Sequence, residues 1–175
     1  NKSLSNVTVQ SSGEFNVRSA FFTLPENLPE VVQLASQIHS DQLIFAKEAF
    51  ESAEESAACE LVGEAWHILS HLAHTLYDLK FKTDDSLDLG KRFQEKTGYE
   101  YARTEGKQTK GDSRLCRLRK INHNGKDYEI WPHIKKGNEG TKMIRIHFDF
   151  DMEVRKILIG YVGLHMDNAS SRGRK

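Results

Sequence analysis

Apolar residues change their spacing once along this chain, from roughly every 3.6 positions to every second position. Val31, Leu34, Ile38, Phe45 and Ala49 recur at helical spacing, and Ala46, Phe50 and Ala53 widen the stripe. Pro25 and Pro29 punctuate its start. Residues 57–79 repeat the pattern with Val62, Trp66, Leu69, Ala73 and Leu76. The two stripes predict two helices that pack as a hairpin. A third, shorter helix is expected to begin near Ser86, capped by Asp84 or Asp85, and to end at Gly98.

Residues 103–120 are rich in Lys and Arg. With Gly106 and Gly111 as breakers, they read as a basic loop leading into a strand. From residue 115 the period is two. Asn122-His123-Asn124-Gly125 is a hairpin signal between strands expected over 115–121 and 126–135. A second turn, at residues 137–140, precedes an alternating run over 142–150. There Ile144, Ile146, Phe148 and Phe150 face one way, and Met143, Arg145, His147 and Asp149 the other. A last turn near residues 151–153 leads into a strand over 155–163. The expected fold is α+β: an N-terminal helical hairpin plus a short third helix, then a C-terminal antiparallel sheet of about four strands. Residues 1–24 read as an extended lead-in, 25–98 as an acidic helical region and 99–175 as a basic sheet region. Residues 25–175 are expected to form one compact domain.

Composition narrows the classes. At 175 residues, 38% hydrophobic and 29% charged, the chain can bury a core and is too apolar for a disordered protein. No apolar run reaches the length of about 18 residues that a membrane span needs. Cys59 and Cys116 form no close pair, and no secretory leader is recognisable, so a reducing, cytoplasmic setting is the expectation. The start at Asn1 rather than Met points to a piece of a longer protein. The net charge of zero conceals a split. Residues 1–90 hold 5 Lys/Arg against 14 Asp/Glu, and residues 91–175 hold 20 against 11. A basic half of this kind suits RNA or DNA, while the acidic half suits a protein partner or the basic half itself.

Two histidine sets attract attention. His67, His71, His74 and Asp78 share one helix stripe opposite the apolar one, which reads as a polar face rather than a metal site. The second set lies in the sheet. If the strand ending at Lys135 pairs with the strand of Arg145 and His147, then His133 and Lys135 meet them on one polar face. Tyr161 and His165, set among glycines at the end of the last strand, would join at the rim. Such a group suits RNA cleavage without a metal or other cofactor. His133, His147 and His165 are candidates for proton transfer at the 2′-hydroxyl and the leaving 5′-oxygen. Lys135 and Arg145 would clamp the phosphate. Arg103, Lys107, Lys110, Arg114 and Arg117 would guide the backbone, and Trp131 would stack on a base, as Tyr161 also could. A metal held by His133, His147 and His165 is the alternative use of the same rings. His123, in the turn, reads as surface.

The segments "YEIWPHIKKG", "MIRIHFDFD" and "KILIGYVGLHMDN" resemble an uncharacterised bacterial domain with PHxK, RIxF and GxxGxH segments, associated with mobile-element and phage conflict. More distantly, helices followed by a small basic antiparallel sheet are similar to the RelE/ParE toxin superfamily. That resemblance implies messenger-RNA cleavage, as in RelE-type members, or gyrase inhibition, as in ParE-type members. Lys135, Arg145, Tyr161 and His165 are the residues of matching type. The leading expectation is a nucleic-acid-directed effector, a metal-independent ribonuclease of toxin or phage-defence type. A non-catalytic nucleic-acid-binding module and a protein-interaction domain of a larger defence protein stand beside it.

Overall fold

The computed structural model describes residues 24–83 and 88–167. Apart from Leu24, the expected lead-in lies outside them, as do Asp84, Asp85 and Ser86. Helix α1 (Leu28–Ile38) starts where Asn27 accepts a hydrogen bond from the Glu30 amide, with Pro29 in the first turn. It buries Leu28, Val31, Val32, Leu34 and Ala35. The helix does not continue to Ala53. The chain leaves it at His39, forms strand β1 (Leu43–Phe45), and resumes as α2 (Lys47–Glu55). Leu43, Ile44 and Phe45 are apolar and two of them strand-favouring, so they suit a buried strand as well as a helix stripe. A tertiary partner decides the matter: they pair in parallel with Ile157, Leu158 and Ile159.

The second expected helix begins five residues late. It runs as α3 (Val62–His71), a π-helical turn (Leu72–Leu76) and α4 (Tyr77–Phe81). Helix α5 (Leu89–Thr97) is capped by Asp88 rather than Asp84 or Asp85, and ends at Gly98 with φ 75°. The basic segment is not a plain loop. It holds two short helices, α6 (Lys107–Lys110) and α7 (Ser113–Arg117), the latter capped by Asp112. Gly106 and Gly111 flank a single turn instead of preventing it.

Residues 115–117 are therefore helical, and β3 (Lys120–His123) starts later than the alternation suggests. It pairs with β4 (Lys126–Glu129) around Asn124 and Gly125, whose φ values of 53° and 80° suit a type I′ turn. After β4 the chain turns at residues 130–132, so 126–135 is two strands and not one. The main sheet comprises β1, β2 (Glu100–Ala102), β5 (His133–Glu139), β6 (Lys142–Asp151) and β7 (Lys156–Gly163). Its order is β1-β7-β6-β5-β2, five strands with β1 parallel to β7 and the rest antiparallel. The arrangement is α+β with a mostly antiparallel sheet, one strand wider than expected.

One sheet face supplies Ile134, Ile144, Ile146, Phe148, Ile157, Ile159 and Val162 to a core shared with the helices. The other is partly covered by the β3–β4 hairpin, where Ile121, Tyr128 and Ile130 pack with Ala46, Leu158 and Met166. Gly160 permits this approach. A Cβ there would lie 2.4 Å from Ile121 Cδ1 and 2.7 Å from Ile130 Cγ2. Past the reach of β1, Ser52 and Ser56 of the α2 end accept hydrogen bonds from the Val162 and Leu164 amides, at 3.0 and 3.1 Å. Those amides would otherwise be unpaired on the β7 edge.

Asp151 ties the hairpin to the sheet. Its carboxylate accepts from Lys126 Nζ at 2.8 Å, from the Tyr128 hydroxyl, and from the Glu153 and Val154 amides at 2.9 and 3.2 Å. Burial alone would raise its pKa, but these four donors outweigh it and hold the group below the usual carboxylate range. Because the folded value is depressed, the stabilisation is present above the unfolded value of about 4 and is lost as pH falls below it. Denaturant titrations should show stability declining below pH ~4, and Asp151→Asn should flatten that decline. Gly160→Ala should cost about 1–3 kcal/mol, read as a lower urea midpoint with an unchanged slope.

Candidate active site

The pairing of β5 with β6 places His133 opposite His147, and Lys135 opposite Arg145. On the far side of β6, His147 pairs with Tyr161 and Arg145 with Gly163. Residues opposite one another in paired strands share a sheet face, so the polar group expected from the alternation assembles. The two imidazoles stack, with ring centroids 4.3 Å apart and planes 18° from parallel. Only 5% of His133 and 1% of His147 is exposed, because the hairpin and the 130–132 turn cover this end of the face.

Both rings are fixed by the same short segment. His133 Nδ1 lies 3.0 Å from the Trp131 carbonyl oxygen, and His147 Nδ1 lies 3.1 Å from that of Ile130. A carbonyl oxygen can only accept, so each Nδ1 carries the proton. In the neutral ring the lone pair then sits on Nε2. Burial lowers the pKa of both rings, His147 well below the ordinary imidazole value; a charge on His133 further disfavours one on His147, and Lys135 and Arg145 disfavour one on His133. Two neutral bases of defined tautomer are the result.

They border a cavity of about 170 Å³, lined also by Glu105, Lys135, Arg145, His165 and Met166. Partial burial lowers the His165 pKa, and the positive charges of Arg145 and Arg119 act in the same direction. Arg145 donates through one terminal nitrogen to the Lys136, Gly137 and Ile144 carbonyls, at 3.1, 3.0 and 2.8 Å. Lys135 pairs with Glu100 of β2. Tyr161 meets the edge of the His147 ring at 5.6 Å but does not line the cavity. Burial pushes its hydroxyl up to about 12.

Two residues of this site were not anticipated as such. Arg119 is fully buried and donates to Glu105 at 2.9 Å, and to the Leu115 and Asp167 carbonyls at 2.9 Å each. It joins the Glu105 loop to the segment after β7 that carries His165. Its Nε has no hydrogen-bond partner among the described residues, and its guanidinium carbon stands 5.8 Å from the Trp131 ring centroid. Glu105 could have been noticed as one of only two acids in a run of seven cations over 103–120; the other, Asp112, is a helix cap. For Arg119 there was no such signal, since its neighbours are equally basic.

The expected backbone guides are dispersed. Arg103 pairs with Asp88 at 3.1 Å and Arg114 with Asp167 at 3.3 Å. Lys107 and Arg117 are exposed, and Lys110 stands 6.0 Å from the centroid of the half-buried Trp131. His67, His74 and Asp78 are exposed and His71 half-buried, as expected of a polar helix face, and His71 lies close enough to His67 and His74 for their charges to lower its pKa. His74 packs edge-on to His39, and His71 lies 3.3 Å from the Thr75 hydroxyl and beside Tyr99. A larger hollow of about 520 Å³, lined by Val31, Leu34, Ile38, Val62 and Trp66 among others, is apolar and offers no comparable set of polar groups.

Among the described residues, Glu105, His133 and His147 are the His/Cys/Asp/Glu group placed to hold a metal, with ligand atoms all within 4.8 Å of one another. Comparison with family models, curated proteins and solved structures gives no significant match. Arg119→Met should destabilise the fold by about 3 kcal/mol in urea titrations, because it strips a nearly buried carboxylate of its cation. Arg117→Met, at an exposed site two residues away, should change stability by less than about 0.5 kcal/mol.

Proposed function

We propose that this cavity is the acid–base site of a nucleic-acid-directed ribonuclease that needs no metal for the chemical step. The observation that carries the reading is the pinned pair of imidazoles, whose lone-pair nitrogens are left for the cavity that Lys135, Arg145 and His165 also line. His133, the less buried of the two, is the base. Its Nε2 takes the proton of a ribose 2′-hydroxyl as that oxygen bonds to the neighbouring phosphorus. His165, at the open rim, gives a proton to the departing 5′-oxygen as the phosphorus–oxygen bond breaks. The products are a 2′,3′-cyclic phosphate and a free 5′-hydroxyl.

The cations support this assignment. Arg145 and Lys135 face charge that builds on the phosphate oxygens, and a bound phosphate in turn favours the protonated form of His165. Arg119 offsets the Glu105 carboxylate, which would otherwise repel the substrate. His147 acts as a positioning residue that holds the His133 plane by stacking. Exposed Lys107 and Arg117, with the basic balance of residues 91–175, supply sequence-independent attraction for the polymer backbone.

The test uses labelled RNA and the matching DNA, with chelator present. RNA should be cut to cyclic-phosphate ends while DNA stays whole. His133→Ala and His165→Ala should each slow cutting by about 10²–10⁴-fold. Cleavage at an unchanged rate in both variants would refute the site. RNA retained at low salt but never cut would leave a binding module in place of an enzyme.

A further inference from the structure

The same cavity contains an arrangement that proton transfer alone does not require. The Nδ1 edges of His133 and His147 both face residues 130–131, so their Nε2 edges turn away from that segment together. Glu105 completes the group, with the three ligand atoms within 4.8 Å of one another. Two imidazole lone pairs and a carboxylate are all electron-pair donors to a cation.

We infer that Glu105, His133 and His147 form a binding site for a first-row divalent transition ion of the Zn²⁺ class, and that the ion excludes the phosphodiester by occupying the His133 nitrogen that would take its proton. Two imidazoles and one carboxylate are a donor set typical of such ions, and three protein ligands leave a position open. The surrounding bonds are those that metal ligands generally need. Each imidazole donates its other N–H to a backbone carbonyl, and the carboxylate is held by Arg119. No thiolate competes within the group. The exclusion, though not the binding, rests on the ribonuclease reading above.

Binding is read first by adding Co²⁺ to the metal-free chain and recording its visible absorption. One ion per chain is expected, with bands that Zn²⁺ displaces. Those bands should vanish in His133→Ala and weaken in Glu105→Gln, with affinity lower by roughly 10-fold or more. They should persist in His123→Ala, which removes the imidazole of the hairpin turn. X-ray absorption of the Zn²⁺-loaded native chain needs no variant, and should give a shell with two imidazoles and no sulfur. Failure to take up either ion at large molar excess, a sulfur-containing shell, or bands unaltered in both His133→Ala and Glu105→Gln would overturn the site. In the RNA assay, Zn²⁺ should abolish cutting by the native chain and chelator should restore it. Cutting that persists with the ion bound would overturn the exclusion, whereas a chain that binds the ion but never cuts RNA would overturn the ribonuclease reading and leave the metal site standing.

Discussion

Two hydrogen bonds to neighbouring carbonyls, from His147 to Ile130 and from His133 to Trp131, determine what the polar sheet face can do. They assign the tautomers. They aim both rings, and they leave the lone pairs on the side away from the turn. The segment that provides these carbonyls is itself anchored. The Ile130 amide donates to the Arg119 carbonyl, the Phe148 amide to the Pro132 carbonyl, and Ile130 is buried in the second core. The small hydrophobic cluster under the hairpin therefore fixes the imidazoles as well as stabilising the fold. Its packing sets the position of two acceptors, and the acceptors set two bases.

Placing imidazoles in so covered a position has a cost. Burial disfavours their charged forms, and the stacked pair cannot readily carry two protons. The fold surrounds them with cations instead: Arg119 beneath, Arg145 and Lys135 beside. Arg119 and Glu105 meet where both are largely removed from solvent, which gains little net stability but is expensive to disrupt. Such a pair is better read as a positional constraint. It fixes the Glu105 loop, the end of α7 and the chain after β7 relative to one another.

The sheet half of this architecture was legible because its alternation is strict. Ile144, Ile146 and Phe148 face the core, Arg145 and His147 the other side, and the Asn124–Gly125 turn follows from residues that accept positive φ. Antiparallel pairing then brought His133 across from His147 as expected. The helical half was read less well, for a physical reason. Leu43, Ile44 and Phe45 satisfy a helix stripe and a buried strand equally, and only the distant β7 decides between them. The π turn at Leu72–Leu76 interrupts the 3.6-residue spacing, and a stripe counted along the sequence does not reveal it. Glu105 and Arg119 come together through loops and short helices that carry no periodicity at all.

The borders of the sheet carry a last implication. The outer strands β1 and β2 have three residues each, and where β1 stops, hydroxyls from α2 take the amides of Val162 and Leu164. Beyond β2, the exposed margin of β5 continues through Lys136 and the left-handed Gly137. An extended peptide looking for a ladder to join would find few consecutive rungs on either flank. Backbone zippering onto this sheet is thereby disfavoured along both of its margins.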